Sequence, residues 1–409
     1  MGTKYESVGS TAMSLQLGVL SRGPRLYSTR RLVEEAQAQD IDVKVYDPIQ
    51  FSIRVGGHGG AIYYDGAPLD VDAVIPRIGH TITRHGTAVL RALEERGVYA
   101  TNSSEGILRS RDKLRASQIL ARNRINVPTT VYVRDVLDVD QAIDAVGGLP
   151  VVVKVNSGTQ GQGVFLRHTF HETRNLVQGL LTVGKAVLIQ SYIAESHGRD
   201  IRALVVGDRV VASMRRRARG KEFRSNYHLN GTVERVALPT DYALAARRAA
   251  RVLGLKVCGV DLLEARDGPL VLEVNSSPGL EGIEKASGVN VAGEIIQFIC
   301  DDQHFRDISL DNLMTTSKTR GMLTVSPRLH PHLIGAPISD VLDQVTVNIT
   351  ALARDMEITW NPDPSTLIRF NDVLLLHGNL EELRAALSIV LRPSRTDVAP
   401  TRDSENAMG

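Results

Sequence analysis

The chain has 409 residues, a length that suggests two or three domains, and its 43% hydrophobic and 23% charged residues are the mix of an ordinary globular protein. Forty-eight basic against 46 acidic residues leave a formal charge of +2, too even for nucleic acid as the principal ligand. Two cysteines, Cys258 and Cys300, without CxxC spacing argue against a disulfide scaffold or a cysteine zinc site and fit a reducing cytoplasm; no apolar run reaches the ~18 residues of a membrane span, and no secretory leader pattern opens the chain.

Residues 1–12 are polar and read as a disordered extension. From Leu15 a short apolar run is followed by a helical stretch, Tyr27 to Gln39, and by the alternating Ile41-Asp-Val-Lys-Val-Tyr. Strand, helix and strand with short links predict a βαβ unit and a parallel sheet, extended by the runs at Ala73 and Val98. This first domain is placed at 13–115.

A second α/β region covers 116–301. Asp112 to Arg122 is helical, and Val151-Val-Val-Lys-Val is a β-branched strand that runs into Ser157-Gly-Thr-Gln-Gly-Gln-Gly. Ala186 to Gln190 is a further strand. Gly207-Asp208 and Arg266-Asp-Gly each separate two strand-like runs and predict hairpins, with an alanine-rich helix, Tyr242 to Leu253, between them. An amphipathic helix is expected from Gly288 to Cys300. Residues 302–320 read as a linker and 321–392 as a small unit of strand, turn, helix, strands and helix. The tail 393–409 is polar and reads as disordered.

Three constellations carry chemistry. Lys154 precedes Gly158, Gly161 and Gly163, which let backbone amides turn toward an anion while the lysine adds a point charge; the bland alternative is a surface loop with a solvated lysine. The order of residues is neither the P-loop nor the dinucleotide fingerprint. Asp261, Glu273 and Asn275 flank the second hairpin. A three-residue loop would pair Ala265 with Pro269 and set Asp261 across from Glu273 on one face, where like charges call for a cation; a two-residue loop would put the acids on opposite faces. Such hard oxygens suit Mg²⁺ or Mn²⁺. The third set is Arg202, Arg215, Arg216, Arg217, Arg219 and Arg224, forks that match carboxylates and phosphates, although Arg215 and Arg219 fit a solvated face. No aromatic platform interleaves them, which argues against RNA. His330 and His332 read as a surface loop and Cys258 as core.

The segments Leu20-Ser-Arg, Leu26-Tyr-Ser, Val74-Ile-Pro-Arg-Ile-Gly, Arg111-Asp-Lys-Leu-Arg, Val152-Val-Lys, Gly158-Thr-Gln-Gly, Asp200-Ile-Arg, Phe223-Arg-Ser-Asn, Gly259-Val-Asp and Glu273-Val-Asn-Ser-Ser-Pro-Gly-Leu-Glu-Gly-Ile-Glu occur in order. With them the chain resembles the ATP-grasp enzymes, specifically the RimK-type α-L-glutamate ligases, over about 286 of its 409 residues. The resemblance implies an α/β and α+β architecture: a Rossmann-like pre-ATP-grasp domain, then a two-lobed ATP-grasp fold. It implies that Lys113 and Lys154 reach the nucleotide phosphates, that Gln190, Ser191, Tyr192 and Ile193 lie against adenine, and that Asp200 stands near the ribose. Arg224, Ser225 and Asn226 match a nucleotide-site segment, and Asp261, Glu273 and Asn275 match ligands of two Mg²⁺ (or Mn²⁺). The implied reaction is ATP-dependent carboxylate–amine ligation through an acyl-phosphate, with Arg202 or Arg217 holding charge on the tetrahedral intermediate.

The resemblance implies L-glutamate as amine, a small-subunit ribosomal protein C-terminus as acceptor, poly-α-glutamate as another product, and a cytoplasmic homo-oligomer, dimer or tetramer. Ser191 replaces a usual glutamate, and Arg215 and His228-Leu-Asn-Gly replace a glutamate and a His-Arg-Gly-Gly pattern, which leaves the acceptor open. Through Ile334-Gly-Ala-Pro-Ile-Ser-Asp-Val, Asn361-Pro-Asp-Pro and Phe370-Asn-Asp-Val-Leu-Leu-Leu-His-Gly, the α+β C-terminal unit resembles the TrkA-C regulatory domain of potassium-uptake proteins; such domains pair as dimers and some bind small anionic effectors, and the alternative is a dimerisation or acceptor-docking appendage. A ligase of a small acid and a nucleotide-sensing binding protein are the alternative functions.

Overall fold

The computed structural model describes residues 15–56, 61–69, 71–156, 163–220, 223, 231–304, 314–315, 320–325, 333–342, 347–354, 357–369, 372–379 and 381–383. The chain forms two compact units, Met1–Ile299 and Cys300–Gly409.

The first unit opens with β1 (Gln16–Leu20), α1 (Tyr27–Gln37), β2 (Asp42–Tyr46), β3 (Phe51–Arg54), β4 (Ala61–Tyr64), β5 (Ala67–Pro68), β6 (Ala73–Pro76), α2 (Thr83–Glu94), β7 (Tyr99–Ala100) and α3 (Ser104–Arg111). The predicted βαβ unit is present. The parallel sheet has the order β2-β1-β6-β7, and a small antiparallel sheet is built from β3, β4 and β5. Helix α1 buries Leu32 and Ala36, four residues apart, and pairs Arg30 and Arg31 with Glu34 and Glu35 on its other side. The chain winds outward from β1 to β2, then returns to β1's other side with β6. The C-terminal ends of β1 and β6 therefore flank a topological switch point, where open α/β sheets leave a crevice.

The next elements are α4 (Lys113–Arg122), β8 (Thr130–Val133), α5 (Val139–Ala145), β9 (Val151–Val155), β10 (Val164–Arg167), α6 (Phe170–Thr182) and β11 (Val187–Ser191). Their antiparallel sheet, β10-β9-β11-β8, is two-sided in the strand manner. Val151, Val153, Val187 and Ile189 join a core with residues of α5 and α6. Val152, Lys154, Leu188 and Gln190 belong to the opposite face, where Lys154 pairs with Leu188 and Val152 with Gln190.

The second lobe follows with β12 (Arg199–Val206), β13 (Arg209–Arg217), β14 (Thr232–Arg235), α7 (Thr240–Leu253), β15 (Val257–Ala265), β16 (Gly268–Asn275), α8 (Glu281–Ser287) and α9 (Val291–His304). Its antiparallel order is β14-β13-β12-β15-β16. One face carries Ile201, Ala203, Val205, Val260 and Leu262 against Ala246, Ala249, Ala250 and Leu253 of α7, where small alanines let helix and sheet lie close. That core continues without a break into the opening module through Leu253, Leu255, Ile107, Leu90 and Leu20.

Both hairpins of this lobe carry a β-bulge. The turn after β15 is a two-residue loop, since Ala265 pairs with Gly268 rather than with Pro269. A regular ladder from that turn would put the acids on opposite faces. The register shifts between Leu262↔Val271 and Asp261↔Glu273, so Leu272 is an extra residue that restores Asp261 opposite Glu273. In the other hairpin, Gly207 at φ +61 makes the turn, and Val211 is the extra residue between Leu204↔Ala212 and Val205↔Val210. The helix expected from Gly288 to Cys300 is present as α9, beginning three residues later, and a short helix, α8, precedes it. Gly288, at φ +71, ends α8, and α9 starts at Val291.

The second unit contains β17 (Met314–Thr315), β18 (Arg320–Val325), α10 (Ile338–Leu342), β19 (Asn348–Arg354), β20 (Glu357–Trp360) and β21 (Val373–Asn379). Its antiparallel order is β17-β18-β21-β19-β20, over a core of Leu323, Leu333, Ile338, Leu352, Leu374 and Leu376. The stretch read as a linker holds the end of α9 and β17. Asp372 is fully buried and takes two hydrogen bonds from Arg354, at 2.8 and 2.7 Å. The expected last helix is described only at 381–383, and the two terminal extensions lie outside the described residues.

Asn102 ties the opening module to the second lobe. Its side chain donates to the carbonyls of Val257 (2.7 Å) and Ser276 (3.0 Å) and accepts from the amides of Lys256 and Val257 (both 2.9 Å), all in the interior. Asn102→Ala leaves these groups unpaired and is expected to destabilise the first unit by about 2–4 kcal/mol. The urea midpoint followed by circular dichroism reads this, and an unchanged midpoint would refute it.

Candidate active site

The second lobe's open face holds a chain of buried charges. Arg202 of β12 donates to both oxygens of Asp261 on β15, at 2.7 Å each. Arg216 of β13 donates at 2.7 Å to the same Asp261 Oδ2 and engages both oxygens of Asp200 on β12, one at 2.7 Å. Asp200 is 2% exposed, Asp261 1% and Arg216 4%. Burial opposes ionisation of Asp261, but Arg202 and then Arg216 outweigh it and hold the carboxyl below the usual carboxylate range. Burial raises Asp200, and its one close arginine does not fully offset that; Asp261 adds repulsion. Gly259 lets β15 lie close to Pro278, because a Cβ there would stand 3.1 Å from that ring, while its distance to Arg202, 3.5 Å, would be an ordinary contact.

Glu273 lies opposite Asp261, and among the described residues no hydrogen bond or ion pair engages it. Water reaches its carboxylate, yet protein walls stand around it, the situation of a group lining a deep cleft. Desolvation raises its pKa, Asp261 adds to that, and Arg202, Arg216 and Lys113 act against it. The water that reaches Glu273 keeps the upward shift smaller than that of a sealed carboxyl. Asn275 is on the same strand face, its Oδ1 accepting from the Ser277 amide at 3.0 Å.

Two lysines face this acid. Lys154 stands on the uncovered face of the first lobe's sheet, and burial pushes its pKa down to about 8; Glu273 opposes this shift and Lys113 adds to it. Lys113 is lowered by burial and supported by Glu273 and Asp112. It is the first residue of α4. Asp112 caps that helix by accepting from the Arg115 amide at 3.0 Å, and Asn156 accepts from the Leu114 amide at 3.0 Å and donates to Asp112 at 3.3 Å. Asn156 lies just beyond β9, so one side chain couples the settings of both lysines. The sequence offered only its place two residues after Lys154.

The other predicted residues divide. Gly163, at φ +75, needs glycine, and a Cβ there would meet Val155 at 2.9 Å. Gln190 is buried and donates to Thr130 at 2.8 Å. Ser191 bonds the Thr129 carbonyl at 2.9 Å, Tyr192 bonds His197, and Ile193 leads into the turn before β12, so 190–193 connect the two lobes. Asp200 is an internal partner of Arg216, which engages both of its oxygens. Gly158, Gly161, Arg224, Ser225 and Asn226 lie outside the described residues.

Arg217 is not brought to the cluster. It is half exposed and bonds Glu234 at 3.1 and 3.0 Å on the other face of β13. The physical reason is the bulge at Val211. A regular ladder would align Arg215 with Asp200 and turn Arg217 to the charged face; the bulge aligns Arg216 instead. Arg215 accordingly pairs with Glu264 at 2.8 Å.

Glu273 and Asn275 of β16 and Asp261 of β15 form a set of hard oxygens on one sheet face and fit a divalent cation. Glu273 is the member without a cation of its own, whereas Asp261 is neutralised by two guanidinium groups.

The fold, two antiparallel sheets after a parallel lead sheet, has counterparts among solved structures. The ATP-grasp ligase PsnB complexed with minimal precursor is 20% identical with a TM-score of 0.57, covering 70% of this chain and 99% of that one. The D-alanine–D-alanine ligase of Bacillus anthracis is 17% identical with a TM-score of 0.53, covering 70% and 97%. The fold and this site define an ATP-grasp ligase. Residues 15–107 match the RimK PreATP-grasp domain and 110–299 the RimK-like ATP-grasp domain. A probable alpha-L-glutamate ligase of Rhodopirellula baltica is 43% identical over 383 residues, 93% of this chain and 95% of that one. Another, of Aeromonas salmonicida, is 49% identical over 286 residues, 70% and 96%. The chain belongs to the RimK-like family of ATP-grasp ligases, ATP-dependent enzymes that join a carboxylate to an amine. A match of 383 residues extends into the second unit, so the Rhodopirellula protein shares at least part of it.

Arg216→Ala strands the buried Asp200 carboxylate and removes one of the two guanidinium groups on Asp261, and is expected to destabilise the first unit by about 3–5 kcal/mol, while Arg217→Ala stays within about 0.5 kcal/mol. Equal denaturation midpoints for the two variants would contradict the assignment of faces. A pH dependence follows from Lys154. Its pKa is lowered, so the ammonium is present below about 8 and lost above it. The kcat/KM for ATP is expected to fall as pH rises through this value, and kcat less so, because bound phosphate restores the charge. A flat kcat/KM between pH 7 and 9.5 would refute it.

Proposed function

We propose that this enzyme adds L-glutamate to a C-terminal carboxylate, with a small-subunit ribosomal protein as acceptor and poly-α-glutamate as a product of the same chemistry. The observation that carries this reading is the meeting of Lys113, Lys154 and Glu273 in one cleft, in a chain related over 93% of its length to a probable alpha-L-glutamate ligase. A solved PsnB complex that holds precursor peptide has the same fold, so a peptide acceptor is compatible with it.

In this reading the acceptor carboxylate attacks the γ-phosphorus of ATP, the bond to the bridging oxygen breaks, and ADP leaves. The glutamate amine, having lost a proton, attacks the acyl-phosphate carbon, and phosphate departs as the peptide bond forms. Lys113 and Lys154 hold phosphate oxygens, each a compact charge at a fixed point. Glu273, Asn275 and, on release from an arginine, Asp261 would hold two Mg²⁺ (or Mn²⁺), which supply charge neutralisation at the transferring phosphoryl group. Arg202 stands at the edge of this set and is the candidate for the tetrahedral oxyanion. Arg216 takes the place first given to Arg217 as the second arginine of the cluster, and it acts through Asp261. The segment 190–193 receives adenine along the connector.

We place the enzyme in the cytoplasm as a homo-oligomer; no described helix is long and apolar enough to cross a membrane. The second unit is assigned a TrkA-C-like regulatory role with a small anionic effector. The test is ADP release with ATP, Mg²⁺ and L-glutamate, with and without ribosomal proteins, followed by intact-protein mass spectrometry. Glutamate-sized increments on one ribosomal protein are expected, and Glu273→Ala should lower turnover at least 10³-fold with the fold retained. ADP release without increments but with soluble glutamate oligomers would make the free polymer the product. No release would favour another acid.

A further inference from the structure

Arg77 is the arginine that the site above leaves unused. It follows β6 directly, at the C-terminal edge of the lead sheet, where β1 and β6 bound the topological switch point. Among the described residues no hydrogen bond or ion pair engages its guanidinium. It is largely enclosed, and burial alone lowers its pKa to about 10, with no carboxylate close enough to offset that. Every other deeply enclosed arginine of the cleft has an acid or a row of carbonyls: Arg216 has two aspartates, Arg202 has Asp261, and Arg111 has the carbonyls of Ile78 and Gly79. An enclosed guanidinium without a partner is costly, and a ligand that brings the missing anion would remove that cost.

The segment carrying Arg77 is held on all sides. The Arg77 amide bonds the Leu20 carbonyl at 2.9 Å, Ile78 is 1% exposed, and Arg111 bonds Ile78, Gly79 (3.2 Å) and Thr83 (2.6 Å). Ser277 Oγ stands 3.4 Å from the Pro76 carbonyl and 3.5 Å from that of Ile78, on either side of Arg77. Ser277 is also the residue whose amide bonds Asn275 Oδ1, so the turn bearing Arg77 touches the end of the acid hairpin. The loop after β1 adds Arg22 and Arg25 on the same sheet edge, exposed, and α1 starts there at Tyr27. Asp47, after β2, lies 4.0 Å from Arg22 and accepts from the Ile49 amide. This crevice is thus an anion-favouring site, fixed before any ligand arrives and joined to the ligation cleft through the residues 275–277.

We infer that Arg77 binds a carboxylate of the incoming L-glutamate and thereby sets the amine donor's place beside the acyl-phosphate. This rests on the glutamate-ligase reading above and adds the donor's subsite to it. An arginine fork matches a carboxylate in two-point geometry, which a lysine cannot reproduce. Loss of such a fork is expected to cost on the order of 10-fold to 100-fold in affinity.

The experiment measures initial rates of ADP release by the full chain with ATP, Mg²⁺, L-glutamate and tetraglutamate peptide as acceptor, varying each substrate in turn. Arg77→Lys and Arg77→Gln are expected to raise the KM for L-glutamate at least 10-fold, with the KM for ATP and for tetraglutamate within about 2-fold of the unaltered enzyme. L-Glutamine and L-isoglutamine, which lack the side-chain and the main-chain carboxylate respectively, tell which carboxylate is held. The one that removes the partner of Arg77 should bind the unaltered enzyme and Arg77→Gln equally. A rise confined to tetraglutamate would move the fork to the acceptor and overturn the inference, as would a rise confined to ATP or unchanged constants in a variant with the parental melting temperature. Absence of ADP release from the unaltered enzyme with L-glutamate is a different result. It would overturn the choice of amine and, with it, this subsite.

Discussion

The buried run Asp200–Arg216–Asp261–Arg202 is the constraint around which the second lobe is arranged. Four charges with almost no contact with water persist only if each is matched, and the match here is close to complete. Because its members come from β12, β13 and β15, the run fixes the mutual register of three strands at the cleft. It also shapes the neighbouring site. With two guanidinium groups committed to Asp261, that carboxylate stays ionised and continues to repel Glu273, while among the described residues no hydrogen bond or ion pair engages Glu273. A hydrophobic substitute of equal volume could stabilise the sheet as well, but it would remove the field that prepares Glu273 for a cation.

The cores explain why the charges meet across a gap. One hydrophobic core runs from the lead module into the second lobe, and Asn102 fastens the two. The first lobe has a core of its own, built from α5, α6 and the covered face of its sheet. Each sheet buries one face under helices and leaves the other, with its lysine or its acids, toward shared space. Alternation along a strand therefore does double duty: every second residue of β9 makes core, and Lys154 falls between them by necessity. Asn156 carries that position across to the start of α4 and holds Lys113 in step with it.

Much of this was readable before any coordinates. The β-branched run before Lys154 and the apolar flanks of Asp261 and Glu273 announced strands that end in charge, and the long match near Glu273 named the family. The turn residues also announced both hairpins. What the residue pattern lacked was parity. Two extra residues, Val211 and Leu272, reverse the faces that turn-counting alone would assign, and nothing in Val211 or Leu272 as residue types marks a bulge. One bulge returns Glu273 to the side of Asp261, although the expected three-residue loop is absent. The other sends Arg217 away and delivers Arg216. Asp200 shows a separate limit: its buried partner, Arg216, depends on which residue of the facing strand stands opposite, and that follows from the bulge rather than from the motif.

The charge balance of the cleft favours one order of events. Asp200, Asp261 and Glu273 against Arg202, Arg216, Lys113 and Lys154 sum to one positive charge, and the two arginines are already matched by aspartates. What remains to meet a nucleotide triphosphate is a pair of lysines that burial weakens and one unpaired glutamate that would repel it. Each component alone is unfavourable in this cleft: the lysines are partly desolvated, Glu273 is repelled by Asp261 and only partly offset by Arg202, Arg216 and Lys113, and a triphosphate would approach a carboxylate. A divalent cation arriving with the phosphates resolves all three at once, since it satisfies Glu273, offsets the phosphate charge, and lets the phosphates restore full charge to the lysines. The cleft is in that sense complementary to a metal–nucleotide complex rather than to either partner separately, and the role proposed for Arg77, which no described residue engages, extends the same logic to the substrate carboxylate at the neighbouring crevice.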